Sequence, residues 1–186
     1  MLTLQFDGLY RGVPQNLNLN TSAGFMCYGW VIVENEEVIA RGHGGYLRGK
    51  DASSNVAEYL GLIEGLEALL DMGAAEELVT IRGDAKSVID QMLGEAMVSA
   101  SSIKPLHRRA RKLAAQFKRA QWNWAPRRYN QEADALTRRA LRQLKANPRQ
   151  YEEALTELEG QCRKGRQMKR LMPVMDLRMY RAAGKV

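Results

Sequence analysis

The chain has 186 residues, 45% of them hydrophobic and 26% charged, with five prolines and two cysteines. That length suits one ordinary domain plus an appendage of a few dozen residues, and such a domain buries its apolar surface without disulfides or a structural metal. The formal charge of +7 permits a polyanionic partner, and the apolar runs are too short to span a bilayer.

The opening MLTLQFDG places an aspartate where a signal peptide needs its apolar stretch, so a cytoplasmic protein is expected. Leu2, Leu4 and Phe6 alternate and predict a strand over residues 1–6 that runs into Asp7-Gly8. A polar loop from Leu9 to Gly24 precedes a second strand, Phe25 to Val33. Glu34-Asn35-Glu36 reads as a turn and Val38 to Tyr46 as a third strand. Three strands with no helix between them form an antiparallel meander.

The period then changes. Val56, Leu60, Ile63, Leu66, Leu69 and Leu70 mark the face of a long amphipathic helix, with Ser53, Ser54 and Asn55 able to cap it and Gly73 closing it. Leu78 to Ile81 is a short strand, and Gly83-Asp84 leads into a helix over Ala85 to Leu93. Leu106, Ala110, Leu113, Ala114 and Phe117 define a third helix with a basic outer face. Gln121 to Ala125 reads as a strand whose Trp122 and Trp124 belong to the core. Asn130 begins a last helix carrying Ala133, Leu136, Ala140 and Leu144 inward. The order β-β-β-α-β-α-α-β-α implies an α/β fold with a mixed five-stranded sheet flanked by helices.

Residues 1–146 form this unit, and residues 147–186 read as a C-terminal extension. The extension begins with a short acidic helix, Tyr151 to Leu158, and continues as a basic, methionine-rich run. Seven apolar residues from Leu171 to Tyr180 are too many for a solvated tail, so an apolar anchor is expected. Arg163, Lys164, Arg166, Lys169 and Arg170 would precede it as a basic strip.

Charge is unevenly spread. Residues 1–144 hold 18 Lys/Arg against 16 Asp/Glu, residues 145–186 hold 10 against 5, and the stretch from Ala96 to Gln131 has nine basic residues and no acid. A run of one sign suits a phosphate backbone. Cys27, Cys162, His43 and His107 have no zinc-site spacing.

Four acids occupy the ends of elements: Asp7 after the first strand, Glu58 in the first turn of the first helix, Asp84 after the fourth strand and Asp134 in the first turn of the last helix. Singly, Glu58 and Asp134 suit a helix N-terminus and Asp84 suits a cap. As a set, Asp7 and Asp84 would reach one edge of a sheet from adjacent strands. Clustered carboxylates repel one another unless a cation sits among them. Oxygen donors suit magnesium, and paired ions of this kind can activate water and stabilise a leaving oxygen at a phosphodiester.

These segments resemble the ribonuclease H type 1 family over nearly all of residues 1–146. FDG is similar to its first-strand Asp-Gly, SNVAEYLGLIEGLEAL to its Asn-x-x-Glu helix start, and IRGDAKSVIDQM to its strand-Asp-helix unit. IKPLHRRARKL resembles the helix that follows, and WAPRRYNQEADALTRRAL the Pro-Arg-x-x-Asn-x-x-Ala-Asp-x-Leu ending. The resemblance implies an endonuclease that cuts the RNA strand of RNA–DNA hybrids with two Mg2+ ions, Mn2+ being possible, and leaves 5′-phosphate and 3′-hydroxyl ends. It implies metal binding by Asp7, Glu58, Asp84 and Asp134, with Asp7 bridging the ions and Glu58 also reaching a 2′-hydroxyl. Gly8, Ser54, Asn55, Arg127, Asn130, Arg108 and Arg109 are the implied substrate-binding residues, Asn55 reading the minor groove and also able to cap its helix.

The chain departs from the family pattern in places. Ser54 replaces a second groove asparagine, Ala85 replaces a serine, and the first loop lacks Asn-Pro-Gly, which leaves contacts from Asn16 to Ser22 open. Arg127 stands where many members have a histidine, as in a subgroup with arginine there. The basic handle is absent, and Arg108, Arg109, Arg111 and Lys112 would supply part of that surface. A proofreading-type exonuclease would carry Asp-x-Glu on the first strand, but Leu9 follows Asp7 by two. The remaining alternative is a non-catalytic module of the same fold that binds nucleic acid or protein.

Overall fold

The computed structural model describes residues 1–14, 22–163 and 171–181. Three strands, β1 (Leu2–Gly12), β2 (Gly24–Glu34) and β3 (Glu37–Arg48), form the antiparallel meander. Asn35 and Glu36 close the β2–β3 hairpin with φ of 48° and 68°, the paired left-handed conformation that a two-residue turn needs to match strand twist. β4 (Leu78–Gly83) lies parallel to β1, and β5 (Arg119–Trp124) parallel to β4.

Among the described residues the sheet has six strands rather than five. β6 (Met172–Tyr180) pairs antiparallel with β3, giving the order β5-β4-β1-β2-β3-β6. The apolar anchor expected in the extension is therefore an edge strand, held mainly by backbone pairing. Met172 and Val174 pack on apolar neighbours, whereas Leu177, Met179 and Tyr180 remain 40–47% exposed. Arg178 of β6 reaches across to Glu64, Glu67 and Asp71. Glu64 is buried and also accepts from Tyr46 Oη at 2.8 Å, so its charge is matched on both sides. The expected basic strip, Arg163 to Arg170, lies outside the residues whose side chains are described.

Among the described residues, five α-helices complete the fold: α1 (Ser54–Asp71), α2 (Lys86–Leu93), α3 (Lys104–Ala114), α4 (Gln131–Ala146) and α5 (Pro148–Arg163). The α5 helix is twice the length of the acidic stretch that signalled it. Because side chains alternate across a strand, β2 serves both faces. Met26, Tyr28, Trp30 and Ile32 join the main core with α1, α2 and α3, while Phe25 joins Leu144 of α4 and Ala154 and Leu158 of α5. Helix α1 is buried along most of its surface because α3 covers the side turned away from the sheet.

One tryptophan departs from the core expectation. Trp122 is half-buried against the main core, but Trp124 is 45% exposed and its indole N–H donates to the Asp84 carbonyl at 3.0 Å. β5 is an edge strand.

Candidate active site

The register of two parallel strands brings the first pair of acids together. Phe6 of β1 is paired with Gly83 of β4, so the following residues, Asp7 and Asp84, emerge side by side where the parallel ladder ends. Helix α1 delivers the third. Its first turns cross β1 at Gly8, where a β-carbon would lie 2.1 Å from the Glu58 nitrogen. Only glycine permits that approach, and it carries Glu58 over the strand end. Ser53, rather than Asn55, caps α1 by accepting from Val56 N–H at 3.3 Å.

Carboxylate oxygens of Asp7, Glu58 and Asp84 all lie within 4.8 Å of one another. Burial, reinforced by the neighbouring Asp84 charge, pushes the Asp7 carboxyl up to about 7. Burial followed by the charges of Asp7 and Asp84 raises Glu58 well above the carboxylate range, and its Oε2 is buried without a hydrogen-bond partner. Three carboxylates of like charge this close together fit a hard divalent cation such as Mg2+ or Mn2+, whose charge removes the repulsion.

Asp134 stands apart from this trio. It sits in the first turn of α4, and its carboxylate is shared by Arg127 and Arg138, the latter at 2.9 Å. It is close enough to add to the upward push on Asp7. Two side chains brace the trio from behind. Thr137 Oγ lies 3.0 Å from Asp7 Oδ2 and 2.8 Å from the Asp134 carbonyl oxygen, so its hydroxyl can donate to either. Asn130 Nδ2 donates to the Phe6 carbonyl at 2.7 Å and to Asp84 Oδ1 at 3.1 Å.

Asn130 is fully buried, and through these two bonds it positions Asp84 and β1. Thr137 was not anticipated; its one signal is a hydroxyl residue on the inward stripe of α4, among Ala133, Leu136 and Ala140. Asp84 does not cap α2, since no side chain bonds at that helix start. Ser54 and Asn55 are exposed at the start of α1, where Asn55 Oδ1 lies 3.5 Å from Ser87 Oγ. Gly8 serves the packing of α1 against β1.

The basic helix is only partly available. Arg109 is paired with Glu67, and Arg111 donates to the Met92 carbonyl at 2.9 Å, closing α2. Both tie α3 to its neighbours while staying exposed, beside the exposed Lys104, Arg108 and Lys112. Of the first-loop contacts, residues 16–21 lie outside the described residues.

Comparison with known proteins matches residues 18–140 to the family described as reverse transcriptase-like. The bifunctional protein Rv2228c of Mycobacterium tuberculosis is 33% identical over 140 residues, covering 75% of this chain but only 35% of that protein. Ribonuclease HI of Halobacterium salinarum is 35% identical over 136 residues, 73% of this chain and 62% of that one. The chain thus spans about a third of the mycobacterial relative. Among solved structures, the N-terminal RNase H domain of Rv2228c superposes with a TM-score of 0.63 at 32% identity, covering 75% of this chain and 91% of that one. RNase H1 of Halobacterium salinarum gives 0.63 at 32% identity, covering 76% and 98%. LC11-RNase H1 in complex with an RNA/DNA hybrid shares the fold at 24% identity, with a TM-score of 0.60 over 73% of this chain and 93% of that one.

Proposed function

The chain belongs to the ribonuclease H-like family, and from that premise we propose that it is a ribonuclease H, an endonuclease that hydrolyses the RNA strand of an RNA–DNA hybrid. The observation that carries this reading is the set of carboxylates from β1, α1 and the end of β4 within 4.8 Å of one another. Bringing these acids together is costly in the absence of a cation and has no use in a module that only binds.

Asp7, Glu58 and Asp84 would hold divalent cations, with Asp134 contributing to a second position beside Asp7. A pair of Mg2+ or Mn2+ ions held by these carboxylates would supply water activation and charge stabilisation at the leaving oxygen, and the products would carry 5′-phosphate and 3′-hydroxyl ends. The protein's own groups set the geometry. Thr137 holds Asp7 in place, Asn130 holds Asp84, and the Gly8 N–H bonds the Glu58 carboxylate. Glu58 and Asn55 lie on one helix end, from which they would meet the 2′-hydroxyl and the minor groove that distinguish the RNA strand. Arg127, tethered to Asp134, brings a guanidinium to the edge of the site for the phosphate.

In this reading residues 1–146 carry the chemistry, residues 147–186 are an extension, and the protein acts in the cytoplasm. No helix among the described residues is long and apolar enough to cross a membrane. The test is titration of Mg2+ or Mn2+ against an end-labelled RNA–DNA hybrid, beside single-stranded RNA and duplex DNA. Metal-dependent cuts confined to the hybrid RNA, abolished in Asp7→Asn and Asp84→Asn, are expected. Undiminished cleavage by Asp7→Asn would refute the assignment, and hybrid binding without cleavage at any metal concentration would leave the non-catalytic module.

A further inference from the structure

Helix α4 carries the site's fourth acid at its start and a row of arginines beyond it. Arg138 and Arg142 follow Asp134 at spacings of four and eight, so all three lie along one side of the helix. With Arg127, Arg128 and Gln131 they line an open groove of about 530 Å³. Four guanidinium groups face one carboxylate there. Asp134 anchors Arg127 and Arg138, and the Arg128 guanidinium lies 4.9 Å over the Tyr129 ring.

The positive surface continues past the groove. Arg142 and Ala135 also line a neighbouring depression of about 340 Å³, where Arg41 of β3 and Arg139 join them beside Glu132. The buried His43 is held under its usual range, first by burial and, against the opposing bond to Gln143, by the charges of Arg139 and Arg41. Arginines concentrated on one helix face with so few acids between them repel each other unless an anion lies along them. At 1.5 Å per residue, the row from Asp134 to Arg142 extends about 12 Å from the carboxylates, the axial span of three or four nucleotides of one strand.

We infer that the α4 groove is a second phosphate-binding tract, holding the sugar-phosphate backbone of the nucleic acid as it leaves the carboxylate site. This rests on the ribonuclease H reading, because continuity with Asp134 is what favours a nucleic-acid strand over an acidic protein. The guanidinium fork suits bidentate contacts to phosphate oxygens, which carry no sequence information and so add affinity and register alone. The site would thus grip substrate beyond the hydrogen-bonding reach of α1.

The test compares the full chain with Arg128→Gln/Arg142→Gln and with the charge-retaining Arg128→Lys/Arg142→Lys. Two hybrids serve, one short enough to span only the carboxylate site and one longer by about ten base pairs, roughly 34 Å of axis. Binding is read as a function of salt in an Asp7→Asn background, so that the strand stays intact; cleavage is read in the native background. The glutamine pair should flatten the salt slope on the long hybrid by about two units, leaving the short-hybrid slope and its cleavage rate unchanged. The lysine pair should restore most of the slope. An unaltered long-hybrid slope, with the short hybrid still cut, overturns the tract alone. Failure of the native chain to cut either hybrid overturns the ribonuclease reading instead. Poly-glutamate binding that depends on Arg128 and Arg142, alongside an unaltered hybrid slope, assigns the groove to an acidic protein and also overturns the tract.

Discussion

Removing one charge from the carboxylate cluster should stabilise the metal-free protein, and the gain should depend on pH. Burial and the neighbouring acids raise Asp7 from 3.8 to about 7 in the folded chain. A group whose folded value lies above its unfolded value stabilises the fold fully below the unfolded value, and that contribution is lost as pH rises through the folded one. The contribution of Asp7 should therefore be lost between about pH 4 and pH 7. Each tenfold change in proton affinity is worth about 1.4 kcal/mol, so the rise to about 7 sets a ceiling of about 4 kcal/mol. Asp7→Asn keeps an oxygen that can accept from Thr137, so its main effect is to delete this charge.

The assay is thermal unfolding in a chelator from about pH 4 to about pH 8.5, a range that brackets both ends of the expected change. For a chain of this length 1 kcal/mol corresponds to about 2–4 °C, so a half-realised effect places Asp7→Asn about 4–8 °C above the native protein at about pH 8, with the two curves meeting near about pH 4. Adding Mg2+ should raise the native melting temperature more than that of the variant, because binding to the folded state alone shifts the equilibrium. A variant that melts below the native chain at about pH 8, or a difference that ignores pH, would contradict the electrostatic account.

Asn130→Ala should lower the melting temperature, since it strips partners from the Phe6 carbonyl and Asp84; loss of a buried hydrogen-bonding group costs about 1–3 kcal/mol, read by denaturant unfolding. Gly8→Ala forces α1 away from β1 and should reduce both stability and metal affinity, the latter measured by calorimetry. Arg178→Met leaves Glu64 buried beside Tyr46 without its cation, so it should cost at least about 2 kcal/mol and loosen β6, seen as faster amide exchange in β3. Truncation after Asn147 removes α5 and β6, exposing Phe25, Leu47 and the β3 edge, and should lower the melting temperature while hybrid cleavage stays detectable.

Much of the fold was legible because its signals are local. Alternation in Leu2, Leu4 and Phe6, the helical stripe of α1 and the Asn35-Glu36 turn each depend on a few adjacent residues. The acids Asp7, Glu58, Asp84 and Asp134 announced themselves by closing or opening elements, and the family resemblance ordered them. The sequence could also suggest that Asp7 and Asp84 share an edge, because both follow apolar strands. It could not supply the Phe6–Gly83 register that makes them neighbours, or the glycine contact that brings Glu58 over them. Register depends on which strands pair, and pairing is settled by the whole sheet.

The tertiary structure alone decided the remaining features. Asn130 reads in the sequence as the start of a helix, and only the packing of α4 against β1 shows that its amide holds Asp84. Arg109 and Arg111 looked like free charges on a basic face, but Glu67 and the Met92 carbonyl claim them across gaps of 42 and 19 residues. The apolar run near the C-terminus signalled burial without a partner, and a strand cannot name its neighbour by composition. Only the open edge of β3 and the cation demanded by Glu64 determine that residues 172–180 become the sixth strand, because an unpaired edge and a buried charge are properties of the folded sheet.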